Sequence, residues 1–228
     1  MSAESSPRIF TDVTVEPFVR GFLHRPPSPK NQGFVLTHGA GSNCQAPLLI
    51  ALAETLAAAG FVVLRCDLPF RQDRSFGPPG PGDAKRDRAG LKNATAVLKN
   101  LVGGPVFLGG HSYGGRQASM LCAEGEAEPD PIPGLLLMSY PLHPPRKPAQ
   151  LRTQHFFHLR TPALFVHGTR DPFGSIEELE PALKLIPAKT KLLTVEGAGH
   201  DLGFKGKAKR EKLPEAILQE FNKFFDLP

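Results

Sequence analysis

Cysteine is scarce: Cys44, Cys66 and Cys122 are the only three in 228 residues. An odd count without C-x-x-C or metal-type spacing excludes a disulfide scaffold and points to reduced, mostly buried thiols in a cytoplasmic setting. No apolar run approaches the roughly 20 residues that a membrane helix needs, so no span is expected. The opening Met-Ser-Ala-Glu-Ser-Ser-Pro has neither a basic n-region nor an apolar h-region, and no signal peptide is read there. No group of His, Cys and carboxylates has ligand spacing, so neither a metal nor another cofactor is expected. Between Asp130 and Asp171 the chain has no acid at all. That absence matters below.

The charge balance is basic, with 27 Lys and Arg against 22 Asp and Glu and a net charge of +5. Much of the excess lies in the run 205–212, Lys-Gly-Lys-Ala-Lys-Arg-Glu-Lys. Nothing aromatic is interleaved with it and no nucleic-acid motif accompanies it. It reads as a solvated loop leading into a terminal helix, with polyanion binding the weaker alternative, so no nucleic-acid partner is expected.

What is abundant is punctuation, 23 Gly and 24 Pro, set between short apolar segments. Residues 1–8 read as a disordered leader and 9–228 as one domain, since no linker or repeat divides the chain. Ile9 to Val15 and Phe18 to Leu23 read as an antiparallel pair at a sheet edge. From Gly33 onward buried-type strands alternate with helices: strands at 33–37, 61–66, 105–109, 134–138, 162–167 and 191–195. Helices are read over Pro47–Ala59, Ala84–Leu101, Arg116–Glu124, Ser175–Leu185 and Lys212–Phe225, with 68–83 a Pro/Gly/Arg loop that could shape a pocket wall. Ser175 followed by Glu178 predicts a capping box. The pattern is that of an α/β fold: a doubly wound, mostly parallel sheet with helices on both faces.

One stretch organises the rest. In Val106-Phe-Leu-Gly-Gly-His-Ser-Tyr-Gly-Gly115 an apolar run enters G-H-S-Y-G and a helix follows. That is a nucleophile elbow in its required context of strand, sharp turn and helix. Gly110 and Gly114 allow the close approach that such a turn imposes, and Ser112 is lifted toward a helix N-terminus.

In an open parallel sheet ligands bind beyond the carboxyl ends of the strands. The residues there are His38-Gly-Ala-Gly, Asp67, His111-Ser112, Tyr140, Asp171 and His200. Because no acid lies between Asp130 and Asp171, the strand ending near Ser139 cannot supply one, and Asp171 is the first carboxylate after the elbow at a strand end. His200, in G-A-G-H-D, follows the last strand; Asp201 beside it is the competing acid, though adjacency seldom allows the geometry. Ser112 is thus the candidate nucleophile, His200 the base and Asp171 its orienting acid. The Tyr113 and Ala40 amides are candidate oxyanion donors, with Gly41 second to Ala40. Gly39, Gly41, Arg71 and Tyr140 are candidate substrate contacts. His38, His111 and His167 read as packing and positioning residues.

H-G-A-G, G-H-S-Y-G-G, G-T-R-D and G-A-G-H, in that order over about residues 30–226, resemble the α/β-hydrolase superfamily. The compact size and missing large cap resemble the dienelactone-hydrolase-like branch. S-Y-G-G-R-Q-A-S is similar to a branch of predicted hydrolases whose relatives include a testis-expressed protein and a chromatin acetyltransferase complex subunit. Dienelactone hydrolase uses a cysteine where this chain has Ser112, so its substrate is not carried over. The resemblance implies a serine hydrolase acting on a small ester, thioester or related acyl compound, as monomer or homodimer. Acyl transfer and perhydrolysis on the same residues stay open. The alternative is a binding or scaffold protein on the same fold. Segment 140–160 is short, Pro-rich and entirely basic in its charges, which with Arg71 and Arg74 suggests acyl substrates bearing a carboxylate or phosphate.

Overall fold

A computed structural model describes residues 6–124, 131–204 and 212–228. Its strands are β1 (Arg8–Asp12), β2 (Val19–His24), β3 (Gly33–Thr37), β4 (Val62–Cys66), β5 (Val106–His111), β6 (Leu135–Met138), β7 (Ala163–Gly168) and β8 (Thr190–Val195). They form one sheet in the order β1-β2-β4-β3-β5-β6-β7-β8. β1 pairs antiparallel with β2, and β2 with β4; every other pairing is parallel. The antiparallel edge and the doubly wound parallel body are therefore as expected. The chain leaves β3 toward β4 and then crosses back to β5 on the other side. The switch point lies between the ends of β3 and β5, which is where an open sheet forms its crevice.

The helices are α1 (Pro47–Ala58), α2 (Pro69–Asp73), α3 (Asp83–Val102), α4 (Tyr113–Glu124), α5 (Ile176–Leu183) and α6 (Leu213–Phe224). Strand residues alternate between two cores because successive side chains point to opposite faces. Val35, Leu64, Leu108, Leu137 and Phe165 pack with Leu91, Leu98 and Ala118 of α3 and α4. Phe34, Leu36, Val63, Leu136 and Leu164 pack with Leu49, Leu52, Ile217 and Phe221 of α1 and α6. On that second face the Phe221 ring lies 5.2 Å from Phe34 and 5.0 Å from Phe107. Each such buried ring contributes about 1.5–3 kcal/mol through removal from water.

Local signals place the helix ends. Ser175 Oγ accepts the Glu178 amide while Glu178 returns a bond to the Ser175 amide, so the capping box forms as read. Residues 68–83 are not wholly a loop: α2 occupies Pro69–Asp73. This single turn has no periodicity to read; it is held by Pro69 at its start and by buried Asp87, whose Oδ1 accepts the Phe70 amide at 3.0 Å. Residues 1–5 of the expected leader and 205–211 of the basic run lie outside the described residues, and Arg8 already pairs in β1. The segment over 140–160 packs down, with Tyr140, Leu142, Phe156 and Leu159 buried in the core, so among the described residues no lid is evident over the sheet. The three cysteines are unpaired, and burial pushes the Cys44 and Cys122 thiols up to about 12. Among the described residues no helix is long and apolar enough to cross a membrane.

Candidate active site

The elbow forms at the end of β5. A Cβ at Gly110 would lie 2.4 Å from the Gly115 nitrogen, and one at Gly114 would lie 2.5 Å from the His38 carbonyl oxygen. Both approaches are to backbone, which cannot yield cheaply, so these positions require glycine. Ser112 itself sits at φ 52°. For a residue with a Cβ this left-handed conformation is strained, and it is held by the Ser112 amide donating to Met138 O at 2.8 Å and by α4 starting at the next residue.

Three strand ends bring the expected side chains together. His200 Nε2 lies 2.8 Å from Ser112 Oγ, and its Nδ1 lies 2.8 and 3.0 Å from the two Asp171 carboxylate oxygens. Nδ1 carries the proton donated to the carboxylate, so Nε2 is left to accept the serine hydroxyl. The Asp171 side chain is fully buried while the His200 ring is 23% exposed. The Phe173 amide donates to Asp171 Oδ1 at 2.9 Å, and the Phe173 ring centroid is 4.2 Å from that of His200. His111 Nε2 donates to the His200 carbonyl at 2.7 Å, fixing the loop from below. Asp201 instead accepts the Gly203 amide at 3.2 Å within its own turn.

The first βα loop lies directly against the nucleophile: a Cβ at Gly39 would stand 3.3 Å from Ser112 Cβ. Gly41 faces open space. Neither the Ala40 nor the Tyr113 amide donates to a backbone carbonyl among the described residues. At Tyr113 this is inherent to the first turn of a helix, whose N–H groups have no intrahelical partner. The Tyr113 phenol points away, donating to Asp87 Oδ2 at 2.7 Å.

A set of side chains fixes that loop. His38 is fully buried; its Nε2 accepts the Leu68 amide at 3.1 Å, so its Nδ1 donates to Gly39 O at 2.9 Å, and burial holds it neutral. Asp67 accepts the Cys44 amide at 2.7 Å, and buried Arg65 donates to Cys44 O.

Two candidate substrate contacts are elsewhere than expected. Arg71 is only 7% exposed and its guanidinium is spent on carbonyls: Ala40 and Ser42 of the first βα loop, and Arg74 and Gly77, at 2.8 to 3.0 Å. It is a clasp on the loop, with four of its five N–H donors engaged by carbonyls. Tyr140 is fully buried, with its hydroxyl donating to Arg152 O at 2.7 Å and its ring against Phe156 and Phe165. It belongs to the core.

Sequence reasoning missed Asp87, which joins α2 to the first turn of α4, and Arg65; an acid inside a basic helix and an arginine inside an apolar strand gave no sign of their partners. Among the described residues no cluster of three or more potential metal ligands occurs. A groove of about 500 Å³ between α3 and α4 is lined by residues such as Arg88, Leu121 and Ile132 and includes none of Ser112, Asp171 and His200.

A family model described as an alpha/beta hydrolase domain matches residues 30–225. Among solved structures, a dienelactone hydrolase from Anabaena variabilis is 23% identical, with TM-score 0.71 over 97% of this chain and 98% of its own. An alpha-beta serine hydrolase homologue from Coxiella burnetii is 16% identical, with TM-score 0.73 over 93% of this chain and 96% of its own. A serine hydrolase without a lid from Xanthomonas campestris is 15% identical, with TM-score 0.72 over 100% of this chain and 97% of its own. At these identities the structural likeness speaks to the fold.

Proposed function

The chain belongs to the alpha/beta hydrolase family, its residues 30–225 matching that domain, and from this premise we propose that it is a serine hydrolase of small acyl esters or thioesters. The observation that carries the reading is the unbroken relay Ser112 Oγ–His200–Asp171, with links of 2.8 Å, at the switch point of the sheet.

In this reading Ser112 Oγ attacks the acyl carbon as its proton passes to His200 Nε2. The carbonyl π electrons move onto oxygen, and the oxyanion is met by the Ala40 and Tyr113 amides at the positive end of α4. Asp171 stabilises the imidazolium that results without itself taking the proton. Collapse expels the alcohol or thiol, which receives the proton from His200, and leaves an acyl-serine. Water then attacks that ester with His200 again as base; the acid departs and Ser112 regains its proton. General base catalysis accounts for about 10²–10⁴ of such a rate and each oxyanion donor for about 10²–10³. With segment 140–160 packed into the core and no lid evident among the described residues, the reading favours short, accessible acyl groups.

The test is a fluorophosphonate probe, followed by an ester and thioester panel of increasing acyl length. Labelling at Ser112 that disappears in Ser112→Ala, with loss of turnover, is the expected result. Full turnover by Ser112→Ala overturns the mechanism. Absence of both labelling and turnover in the wild type would favour a scaffold role.

A further inference from the structure

Residues 131–170 contain no acid, yet carry Arg146, Lys147, Arg152, Arg160 and Arg170. Most cations around the elbow are accounted for. Arg71 gives four of its five N–H donors to carbonyls, and Arg88 is paired with Glu124 and with Gln117 Oε1. Arg116 is different. It lies one helical turn beyond the nucleophile, its amide donating to Ser112 O at 3.0 Å. Side chains on a helix lean back toward its N-terminus, which here means toward the elbow. Arg116 Nε is buried and has no hydrogen-bond partner among the described residues. A desolvated guanidinium nitrogen without an acceptor is costly, and such an orphan in a native fold calls for an occupant.

Segment 152–155 is fastened onto the same turn. Ser119 Oγ donates to Arg116 O at 2.9 Å and is bonded to His155 Nε2 at 2.8 Å. The Tyr140 hydroxyl, beside the Arg116 guanidinium, donates to Arg152 O at 2.7 Å. The Arg152 guanidinium, whose Nη1 donates to Pro141 O at 3.5 Å, lies within charge-interaction range of Arg116 and of Tyr140, and among the described residues no carboxylate forms an ion pair with either arginine. Their mutual repulsion is felt: burial and the Arg116 charge hold Arg152 below the ordinary arginine range. His155, pushed down to about 4 by burial and by Arg116 and Arg88, is neutral at pH 7 and adds no third charge.

Resting on the serine-hydrolase reading of Ser112, we propose that Arg116 and Arg152 form an anion subsite beside the nucleophile that binds a terminal carboxylate or phosphate-type oxyanion on the acyl group of the substrate. The planar forks of two arginines suit such a group, and its charge would relieve both the orphaned nitrogen and the repulsion. A substrate anchored there is held by its far end while its carbonyl meets Ser112.

The test compares 4-nitrophenyl esters of valeric, glutaric and 4-phosphonobutyric acids, which match in chain length and differ in the terminal group. Wild-type kcat/KM should favour one or both anionic esters at least tenfold, mainly through KM, and the preference should shrink with added salt. The two anionic esters decide between carboxylate and phosphate-type ligands. Arg116→Gln and Arg152→Gln should each lower the anionic-to-neutral ratio about tenfold, and Arg116→Lys should keep part of it. Should Arg116→Gln melt early, Arg152→Gln and calorimetric binding of glutarate and inorganic phosphate to the wild type carry the test. A wild-type ratio near one, with Ser112 labelled by fluorophosphonate, overturns the subsite. Missing labelling overturns the hydrolase reading instead; binding of either anion, weakened by Arg152→Gln, would still support the subsite, and no binding would end it.

Discussion

Replacing Arg71 by Met keeps much of the buried stem and removes the guanidinium, four of whose hydrogen bonds run to Ala40, Ser42, Gly77 and Arg74 carbonyls at 2.8 to 3.0 Å. Two of these hold the loop whose Ala40 amide is proposed to meet the oxyanion. A bond from a charged donor contributes about 1.5–3 kcal/mol, but a carbonyl released near the surface regains water. His38, Asp67 and Arg65 still fasten the two ends of the loop. A net loss of about 1–3 kcal/mol in loop positioning remains. Outright deletion of an oxyanion donor costs about 10²–10³ in kcat, and a displaced donor costs less, so kcat should fall about 10–100-fold. KM should change little, because the ground-state carbonyl leans only weakly on that amide. The assay is steady-state hydrolysis of 4-nitrophenyl acetate, with fluorophosphonate labelling rates and a thermal melt in parallel. Arg71→Lys should recover part of the loss, since an ammonium cannot fork between the carbonyls. A lowered melt with unchanged kcat and labelling rate would refute the argument, leaving Arg71 purely structural. A raised KM at constant kcat would return it to the substrate.

Asp171→Asn should leave the fold intact and lower kcat by about 10⁴, since the amide no longer selects the required His200 tautomer; steady-state kinetics beside a circular dichroism spectrum checks both halves. Gly110→Ala places a Cβ 2.4 Å from the Gly115 nitrogen, and a chemical denaturation series should show a loss of about 3 kcal/mol or more as strand and helix are forced apart. Stability should also fall in acid. Burial and Arg65 push His24 down to about 4, and His155 is likewise near 4. The unfolded chain takes these protons near 6.5, so the folded state binds fewer between 6.5 and 4 and stability declines across that window as pH drops. For a ring cut off from water the shift is worth about 3 kcal/mol, and partial access of solvent reduces it to about 1–2. His24→Gln should flatten the urea midpoint over that range, and an unchanged slope would remove His24 as its cause.

The parts of this protein that were legible in its sequence are those whose physics is local. An apolar run that must be buried on both faces reads as an inner strand, and β3 to β7 follow such runs to within a residue or two. A capping box needs residues three apart, and Ser175 with Glu178 forms one. The elbow was legible because steric demand at Gly110 and Gly114 leaves a trace in composition. Asp171 and His200 were legible for a less local reason: a parallel sheet delivers its strand ends to one edge, so order along the chain stood in for distance. That substitution works for residues at strand ends and fails for residues between them. α2, a single turn held by an acid fourteen residues beyond its end, had no local pattern to offer.

Charge shows the limit most clearly, because a charge in a sequence says nothing about who neutralises it. Arg71 and Arg116 are indistinguishable as letters, each beside a loop at the carboxyl edge of the sheet. In the fold the first is largely engaged: a carbonyl-rich turn takes four of its five N–H donors, and its role passes from ligand to the shape of the loop. The second is left with a buried nitrogen that nothing in the described chain answers. The preference for anionic acyl groups, expected in part at Arg71, is therefore proposed instead for Arg116 and Arg152. The same reasoning explains Tyr140, which stands at a strand end as an active-site residue would, yet spends its hydroxyl on Arg152 O and its ring on the core. Position at the sheet edge brings a side chain near the chemistry; the hydrogen bonds it has left over decide whether it can take part.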